Sequence, residues 1–480
     1  MKREFLINIA FLLTANLLIK PFYLFGIDRT VQNTVSEADY GLYFALFNFT
    51  FLFQIVNDFG IQNYNNRNIS QHRQLLQKYF PNIIVLKGLL SFTYLLLVLG
   101  FGLLAGYTLP YFSLLAVIAL NQVLLSLLLY LRSNVSGLGM YRTDSLLSVT
   151  DRLLLIVLCG ALLWGEVLPG PFQIQWFVWA HTVALGSTAL LAFAVVRKKM
   201  GAVRLRFSRP FLLMLLRESA PYALGIFLMS AYYRLDGIMI ERLLPEGQAE
   251  AGLYASAYRL YEASNMVGFL FASLLLPLFA RMLAKGEEVE SLALLSFQLI
   301  MVGALSLLAG VYFFRTPIME ALYDSGSAYS GRILLYLCCS FVAVAGTYIF
   351  GTLLVANNDL RPLNRIFAWG LGINLALNAV LIPWLKAEGA AMATCGTQFF
   401  VLAAEMRLAR RTLGLRFGAV LAGKFALLLL LLVSWGAWLS AQEGLAWYWA
   451  FATLLLSGTA LALPLRLIHW RELLALRRAS

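Results

Sequence analysis

Long apolar runs separated by short polar segments alternate along the 480 residues of this chain. Each run reaches about 20 residues, the length that a helix rising ~1.5 Å per residue needs to cross a bilayer core of ~30 Å. The pattern therefore predicts an all-α polytopic membrane protein with fourteen transmembrane helices. The predicted spans are 4–27, 38–60, 79–106, 110–133, 143–165, 172–196, 211–243, 250–283, 291–315, 328–356, 362–384, 387–409, 417–440 and 446–468.

Composition and charge agree with that pattern. The chain is 61% hydrophobic and 13% charged, and a soluble fold cannot bury so much apolar surface. Its net charge of +13 is explained by topology rather than by nucleic acid. With the N-terminus inside, 25 of the 37 Lys and Arg residues fall in inner segments and 5 in outer ones. This positive-inside bias predicts that both termini are cytoplasmic.

Two pairs of similar segments indicate an internal repeat. Residues 40–45 (YGLYFA) resemble 251–256 (AGLYAS), and 138–144 resemble 357–363 at a similar offset, about six spans later. An even number of spans preserves orientation, so the halves are expected to be parallel repeats around a central cavity. The predicted organisation is an N-lobe at 1–196, a basic cytoplasmic linker at 197–210, a C-lobe at 211–410, and spans thirteen and fourteen with a cytoplasmic tail at 411–480. The linker is interpreted as a topology anchor, with anionic-lipid contact as the alternative.

Other residue types restrict the chemistry. The four cysteines lie inside apolar runs, which favours packing over a disulfide framework, and the three histidines are too far apart for metal-ligand spacing. No cofactor or metal is expected. The first apolar run follows Lys2 and Arg3 as in a secretory signal, but it is long, contains Lys20 and lacks a small-residue cleavage site. We expect it to be a retained span.

Ionisable residues are concentrated in predicted spans seven and eight, which contain Arg234, Asp236, Glu241, Arg259 and Glu262. An ionisable side chain at the centre of a span costs roughly 3 kcal/mol or more, so it normally faces a protein interior or a water-filled cavity. Five within about thirty positions indicate that these two spans line a polar chamber.

Depth along each span suggests what the chamber binds. From the predicted span ends, Lys20, Arg234 and Arg259 lie on the order of 10–14 Å below the outer surface. Such a recessed cationic patch suits an anion such as phosphate. Asp236 and Glu262 share that depth and are candidate sites for a coupling ion. Two alternatives stay open: an i,i+3 ion pair between Arg259 and Glu262, and snorkelling by Lys20, as expected for Lys87 near the inner surface.

Tyrosines surround these charges. Tyr233 and Tyr258 are candidate sugar-binding residues, because an aromatic face with a hydroxyl suits a sugar ring. Tyr254, Tyr258 and Tyr261 share one helix face, and helix packing explains such a stripe equally well.

Several short motifs occur along the chain in a fixed order. They are Asp39-Tyr40-Gly41-Leu42-Tyr43, Asp58-Phe59-Gly60-Ile61, Ser219-Ala220-Pro221-Tyr222, Tyr233-Arg234-Leu235-Asp236, Ala257-Tyr258-Arg259-Leu260 and Gly389-Ala390-Ala391. Their order and spacing resemble Wzx-type polysaccharide flippases of the multidrug/oligosaccharidyl-lipid/polysaccharide (MOP) exporter superfamily. The resemblance implies two six-helix lobes around a central cavity and translocation of undecaprenyl-diphosphate-linked oligosaccharide across the bacterial inner membrane. It also implies that cavity arginines, by position Arg234 and Arg259, receive the pyrophosphate or acidic sugars. Lipid II is an alternative cargo.

Two further functions agree less well with the sequence. A drug exporter of the MATE type usually carries cations and requires an acidic cavity, whereas the charges here are three bases against two acids. A membrane glycosyltransferase is suggested by Glu37 and Asp39 in the first outer loop. Carboxylates at a helix N-terminus, stabilised by its dipole, explain that pair better, and the outer loops are short. The chain is therefore expected to be a transporter rather than an enzyme, moving a lipid-linked glycan through the bilayer with H⁺ or Na⁺ as coupling ion.

Overall fold

The computed structural model describes residues 18–62, 75–165, 167, 170–200, 208–415 and 418–468, and all regular secondary structure in these ranges is helical. The first part of predicted span one, part of the basic linker and the C-terminal tail lie outside the described residues. The helices are α1 (a π-helical stretch Tyr23–Asp28 continuing as Arg29–Thr34), α2 (Glu37–Leu52), α3 (Gln54–Asp58), α4 (Leu75–Leu104), α5 (Tyr111–Gly137), α6 (Tyr141–Trp164), α7 (Ile174–Met200), α8 (Arg209–Leu243), α9 (Gly247–Ala284), α10 (Glu290–Leu322), α11 (Ala328–Ala356), α12 (Leu360–Leu413), α13 (Ala419–Ser440) and α14 (Trp447–Ala462).

The predicted all-helical membrane fold is confirmed. Within the described residues, ten helices are long and apolar enough to cross a bilayer. One of them, α12, has 54 residues and would be about 80 Å long if straight, more than twice the bilayer core. Its backbone breaks at Lys386, where φ is 54° and ψ is −133°. The break separates predicted spans eleven and twelve, as the sequence indicated.

The first helix is longer than the apolar run that predicts it. It continues past residue 27 to Thr34 through polar residues that resemble a loop. Asp28 is buried and accepts a hydrogen bond from the Tyr40 hydroxyl at 2.8 Å. Gln32 is also buried and donates to the backbone oxygen of Gly252 at 3.2 Å. Because both polar groups have partners, the helix can extend through them.

The chain divides into two compact units. The first comprises Met1–Glu241 with Glu246–Gly252, and the second comprises Arg242–Pro245 with Leu253–Ser480. In the first unit, α5 packs against α4, α6 and α7 around a core that includes Phe80, Tyr130 and Leu131. The division by packing places most of α8 in the first unit. The lobe boundaries inferred from the sequence repeat stay a prediction.

In the second unit, α11 packs against α10 and α12. The C-terminal helices α13 and α14 pack on α10 through small residues. A Cβ on Gly310 of α10 would lie 2.7 Å from the ring of Phe451 in α14. A Cβ on Gly436 of α13 would lie 2.5 Å from the ring of Phe313 in α10. Glycine at these positions therefore lets aromatic rings of neighbouring helices approach the backbone.

Candidate functional site

The close approach of α8 to α2 positions the charged residues of α8. A Cβ on Gly237 would lie 2.7 Å from the amide nitrogen of Asn48 and 2.7 Å from the ring of Phe44. Glycine therefore allows the two helices to touch at this level. Arg234 lies one turn before Gly237, and Asp236 directly precedes it.

Arg234 is held by uncharged groups of α2. Its Nη1 donates to Oδ1 of Asn48 at 3.2 Å. Its guanidinium lies over two rings, with the carbon centre 4.7 Å from the centroid of Phe51 and 5.6 Å from that of Phe47. Stacking on aromatic faces and an amide contact restrict the plane of the guanidinium.

The neighbours of Arg234 on α8 have different environments. Asp236 is buried, with 1% of its surface exposed. Tyr233 is half-buried, and its ring stacks on Tyr232 with 5.0 Å between centroids. Arg234 and Tyr233 are thus partly accessible, whereas Asp236 lies inside the protein.

Arg259 in the second unit pairs with a carboxylate of its own helix. Its Nη1 lies 2.6 Å from Oε2 of Glu262, and the two side chains are 12% and 25% exposed. The i,i+3 interpretation is therefore confirmed as a contact. A guanidinium has five N–H donors, so this pair does not exhaust the hydrogen-bonding capacity of Arg259.

The tyrosine stripe on α9 is packed. Tyr254, Tyr258 and Tyr261 are 0%, 4% and 0% exposed. Tyr258 stacks on Tyr254 with 5.7 Å between centroids and lies 5.4 Å from the Tyr261 centroid. The structure favours the packing interpretation for these rings.

Lys20 lies far from the C-terminal end of the first helix. Residues 18–22 are helical and lead into α1, so Lys20 is fourteen residues, or about 20 Å, before the helix end at Thr34. It is half-buried and within electrostatic range of Arg152, Arg132 and Asp151. Arg132 is bonded to Asp144 at 2.8 Å. Lys20 therefore belongs to a group of basic and acidic side chains from α1, α5 and α6 in the first unit.

Lys87 does not snorkel to the membrane surface, and that expectation was wrong. It is 3% exposed, and its Nζ lies 2.6 Å from Oδ1 of Asp58 and 2.5 Å from Oγ of Ser126. Asp58 ends α3, where Phe59 and Gly60 adopt positive φ values of 49° and 76°. The reversal turns the chain out of the helix and leaves the Asp58 carboxylate beside the ammonium.

The acidic pair predicted in the first outer loop lies in the first turn of a helix that Ser36 caps. The Ser36 hydroxyl oxygen accepts from the backbone N–H of Asp39 at 3.1 Å, and Glu37 and Asp39 lie in the first turn of α2. The interpretation of these carboxylates as stabilised by the helix dipole is confirmed.

Sequence reasoning missed a row of buried polar residues on α12. Asn374 and Asn378 are 0% exposed, and Nδ2 of Asn378 donates to Oδ1 of Asn374 at 3.1 Å. Beyond the break, Gln398 and Glu405 are also 0% exposed. The detectable signal was an acidic residue, Glu405, inside predicted span twelve.

Comparison with solved structures identifies the fold class. The lipid II flippase MurJ in an inward closed conformation matches with a TM-score of 0.72 and 14% identity, covering 96% of this chain and 99% of that one. An inward-facing MATE family transporter of the MOP superfamily matches with a TM-score of 0.64 and 12% identity, covering 82% and 94%. A MOP superfamily transporter from Pyrococcus furiosus, described as having a binding pocket of reversed polarity, matches with a TM-score of 0.59 and 14% identity. The match covers 85% of this chain and 94% of that one. The chain thus has the fold of MOP superfamily transporters.

The family follows from the sequence. The profile described as "Polysaccharide biosynthesis protein" matches residues 5–283, which is more than half of the chain. No curated protein sequence matches significantly. The chain belongs to the polysaccharide biosynthesis protein family and is a multi-pass membrane protein.

Proposed function

We propose that this chain is a Wzx-type flippase that moves undecaprenyl-diphosphate-linked oligosaccharide from the cytoplasmic to the periplasmic leaflet of the bacterial inner membrane. The observation that carries the proposal is Arg234, a half-buried arginine inside a membrane-spanning helix, oriented by Asn48 and two phenylalanine rings. A charge kept at such a depth, where it costs several kcal/mol, is typical of a binding function.

The family and the fold support a lipid-linked cargo. Polysaccharide biosynthesis requires that glycans built on lipid carriers cross the membrane, and the similar MurJ structure is that of a lipid II flippase. The excess of Lys and Arg in alternate loops favours a cytoplasmic location for both termini. The large lipid-linked substrate is anionic at its diphosphate, which matches basic side chains inside the spans.

We assign the candidate residues as follows. Arg234 and Arg259 bind the diphosphate or acidic sugars, each in its own unit, and Lys20 adds positive charge deeper in the first unit. Tyr233 contacts sugar beside Arg234, whereas the buried Tyr258 supports the helix face that holds Arg259. Asp236 and Glu262 are assigned to the coupling ion, H⁺ or Na⁺, because carboxylates within membrane spans are typical of such sites.

Substitution of Arg234 tests the proposal in a strain that lacks the chromosomal copy. Arg234→Ala is expected to abolish surface polysaccharide while the protein stays in the membrane at its normal level. Arg234→Lys keeps the charge but loses the planar fork, so partial export is expected. Arg217→Ala is the matched control, since Arg217 is an exposed residue of the same helix. Normal export by Arg234→Ala would overturn the assignment.

Two other cargoes have specific support. The similarity to MurJ favours lipid II, and the similarity to MATE transporters together with the buried Asp236 favours a cationic drug. The same deletion strain separates the three cargoes. Loss of surface polysaccharide supports the flippase, arrest of peptidoglycan synthesis supports lipid II, and drug hypersensitivity with normal polysaccharide supports the MATE-type function.

A further inference from the structure

Glu405 is a buried carboxyl to which nothing above assigns a role. It lies on the second half of α12, after the break at Lys386, and is 0% exposed. Neither of its oxygens has a hydrogen-bond partner among the described residues. Burial of a polar group without compensation is costly, so such a residue needs an explanation.

The surroundings of Glu405 are apolar or uncharged. On α11, a Cβ added to Gly351 would lie 3.1 Å from Oε1 of Glu405, and the Thr347 hydroxyl faces the carboxyl without a hydrogen bond of good geometry. On α12 itself, Gln398 lies two turns earlier on the same face. Both polar atoms of its amide are buried and have no partner among the described residues. The interface of the two helices thus contains an acid, a hydroxyl and an amide with unused hydrogen-bonding capacity.

Charged residues of the neighbouring helices lie elsewhere. The sole charge within α11 is Arg332, near its N-terminal end and bonded to Glu388 at 2.8 Å. The charged residues of α12 beyond Glu405 are exposed. Helix α10 packs against α11, and its charged residues are near the two ends of α10. After Tyr336, the other titratable side chains of α11 are two thiols and a phenol. The charged residues are Arg407, Arg410 and Arg411 on α12 and Glu290, Arg315 and Glu320 on α10. The thiols and the phenol belong to Cys338, Cys339 and Tyr348 on α11.

Among the described residues, no cation and no hydrogen bond stabilises a charge on this carboxyl. A carboxylate at the centre of a span costs roughly 3 kcal/mol or more, so these surroundings favour the neutral form. A protonated carboxyl has no net charge and gains an O–H donor, which the Thr347 oxygen or a water can accept. The single acid and its few neighbouring oxygens suit a proton better than a metal cation, which requires several oxygen ligands.

The depth of Glu405 allows exchange with water at one end of the helices. It lies eight residues before the end of α12 at Leu413, or about 12 Å. Thr347 lies nine residues before the end of α11 at Ala356, or about 13 Å. A modest separation of these two helix ends would wet the carboxyl, and the proton would then be released to water at neutral pH.

We propose that Glu405 is a proton-binding site of the second unit, which takes up a proton when α11 and α12 pack and releases it when their ends separate. The proton site is inferred only from the packing of α11 and α12. A role for that proton as a step of the export cycle additionally rests on the proposed function. The packed state holds a proton that the opened state releases, so packing is favoured as pH falls and weakened as pH rises.

The site is tested with the full chain in lipid nanodiscs. Infrared spectroscopy at neutral pH should show a protonated-carboxyl band that shifts in deuterium oxide and is absent in Glu405→Gln. Thermal unfolding should add a second readout, because one linked proton changes the folded-to-unfolded ratio by up to tenfold per pH unit. The folded-to-unfolded ratio of the wild type should therefore fall by up to tenfold for each unit rise in pH. The ratio of Glu405→Gln should lack this contribution. Identical spectra and identical pH slopes for the two proteins would overturn the proposal.

Two controls keep the test decisive. Glu443→Gln removes an exposed acid and should keep the wild-type band and pH slope. Should Glu405→Gln fail to accumulate, Thr347→Val removes the facing hydroxyl and should shift the band to higher frequency; an unmoved band would count against the site.

A transport assay in vesicles tests the coupling step separately. If glycan transport depends on the pH gradient and Glu405→Gln keeps that dependence, the coupling step is overturned. Absence of any glycan transport by the wild type would instead contradict the proposed function.

Discussion

Gly41 of α2 and Gly252 of α9 pack backbone against backbone in the first unit. A Cβ on Gly41 would lie 2.5 Å from the backbone nitrogen of Gly252 and would overlap the carbonyl oxygen of Gln248. A Cβ on Gly252 would in turn overlap the carbonyl oxygen of Glu37. These glycines belong to the two similar segments that indicated the internal repeat. The repeated motif is therefore explained by a helix crossing that uses both copies.

Substitution of Gly41 by Ala is expected to be strongly destabilising. The new methyl group would collide with backbone atoms, which cannot rotate away as a side chain can, and the cost should be about 3 kcal/mol. Thermal stability in detergent and the amount of protein in the membrane measure this loss. Gly303→Ala is the matched control, because a Cβ at that exposed position of α10 meets no atom within 4 Å. Equal stability of both variants would show that the crossing tolerates separation.

Loss of the Lys87 ammonium should destabilise the first unit. Lys87→Met leaves the Asp58 carboxylate without its cation, which costs about 3–5 kcal/mol for fully buried pairs. The Asp58 side chain is 25% exposed, so we expect about 2 kcal/mol. The double variant Lys87→Met/Asp58→Asn removes both charges and should recover much of the loss. Unfolding measurements on both single variants and the double variant complete the cycle, and purely additive losses would contradict a coupled pair.

Reversal of the Arg259–Glu262 pair separates its two roles. The exchange Arg259→Glu/Glu262→Arg keeps an ion pair at i,i+3 spacing, so the thermal stability should stay close to that of the wild type. Under the proposed function it should nevertheless abolish export, because the cation has moved by nearly one helical turn. Arg259→Gln alone should cost about 1 kcal/mol, as expected for a partly exposed pair. Export that survives the exchange would assign the pair to stability alone.

The thiols of Cys339 on α11 and Cys395 on α12 lie within hydrogen-bonding contact of each other, and all four cysteines are unoxidised. Mild oxidation with copper phenanthroline should therefore link these two residues. Proteolysis and mass spectrometry should recover one reducible cross-linked peptide pair, absent in Cys339→Ser. A link that forms instead from Cys159 or Cys338 would contradict the packing of these helices.

Much of the fold could be predicted from the sequence because bilayer crossing imposes a simple rule on length and polarity. The break at Lys386 followed from the total length of two adjacent apolar runs, although nothing in the sequence indicated that the joint is a single residue. The end of the first span could not be predicted. Asp28 and Gln32 are compatible with a helix only because Tyr40 and Gly252, distant in sequence, supply their hydrogen bonds.

The candidate site was less predictable, since a charge pattern along one helix does not reveal the partner from another. Arg259 and Glu262 share a helix, and their pairing followed from spacing. Lys87 and Asp58 lie on different helices, and their pairing depends on the chain reversal at Phe59 and Gly60. Glu405 was overlooked for a related reason: a single acid in an apolar span has no neighbouring pattern, and its significance depends on what α11 places beside it.

Because α13 and α14 pack on α10 through glycine–aromatic contacts, these three helices should move as one rigid body when the conformation of the second unit changes. A fluorophore or a conformation-specific antibody fixed to the α13–α14 connection, whose residues 441–445 are exposed, would consequently report on α10 from the membrane surface. The C-terminal pair thus offers an attachment point for probes that leaves every residue assigned to the cargo unchanged.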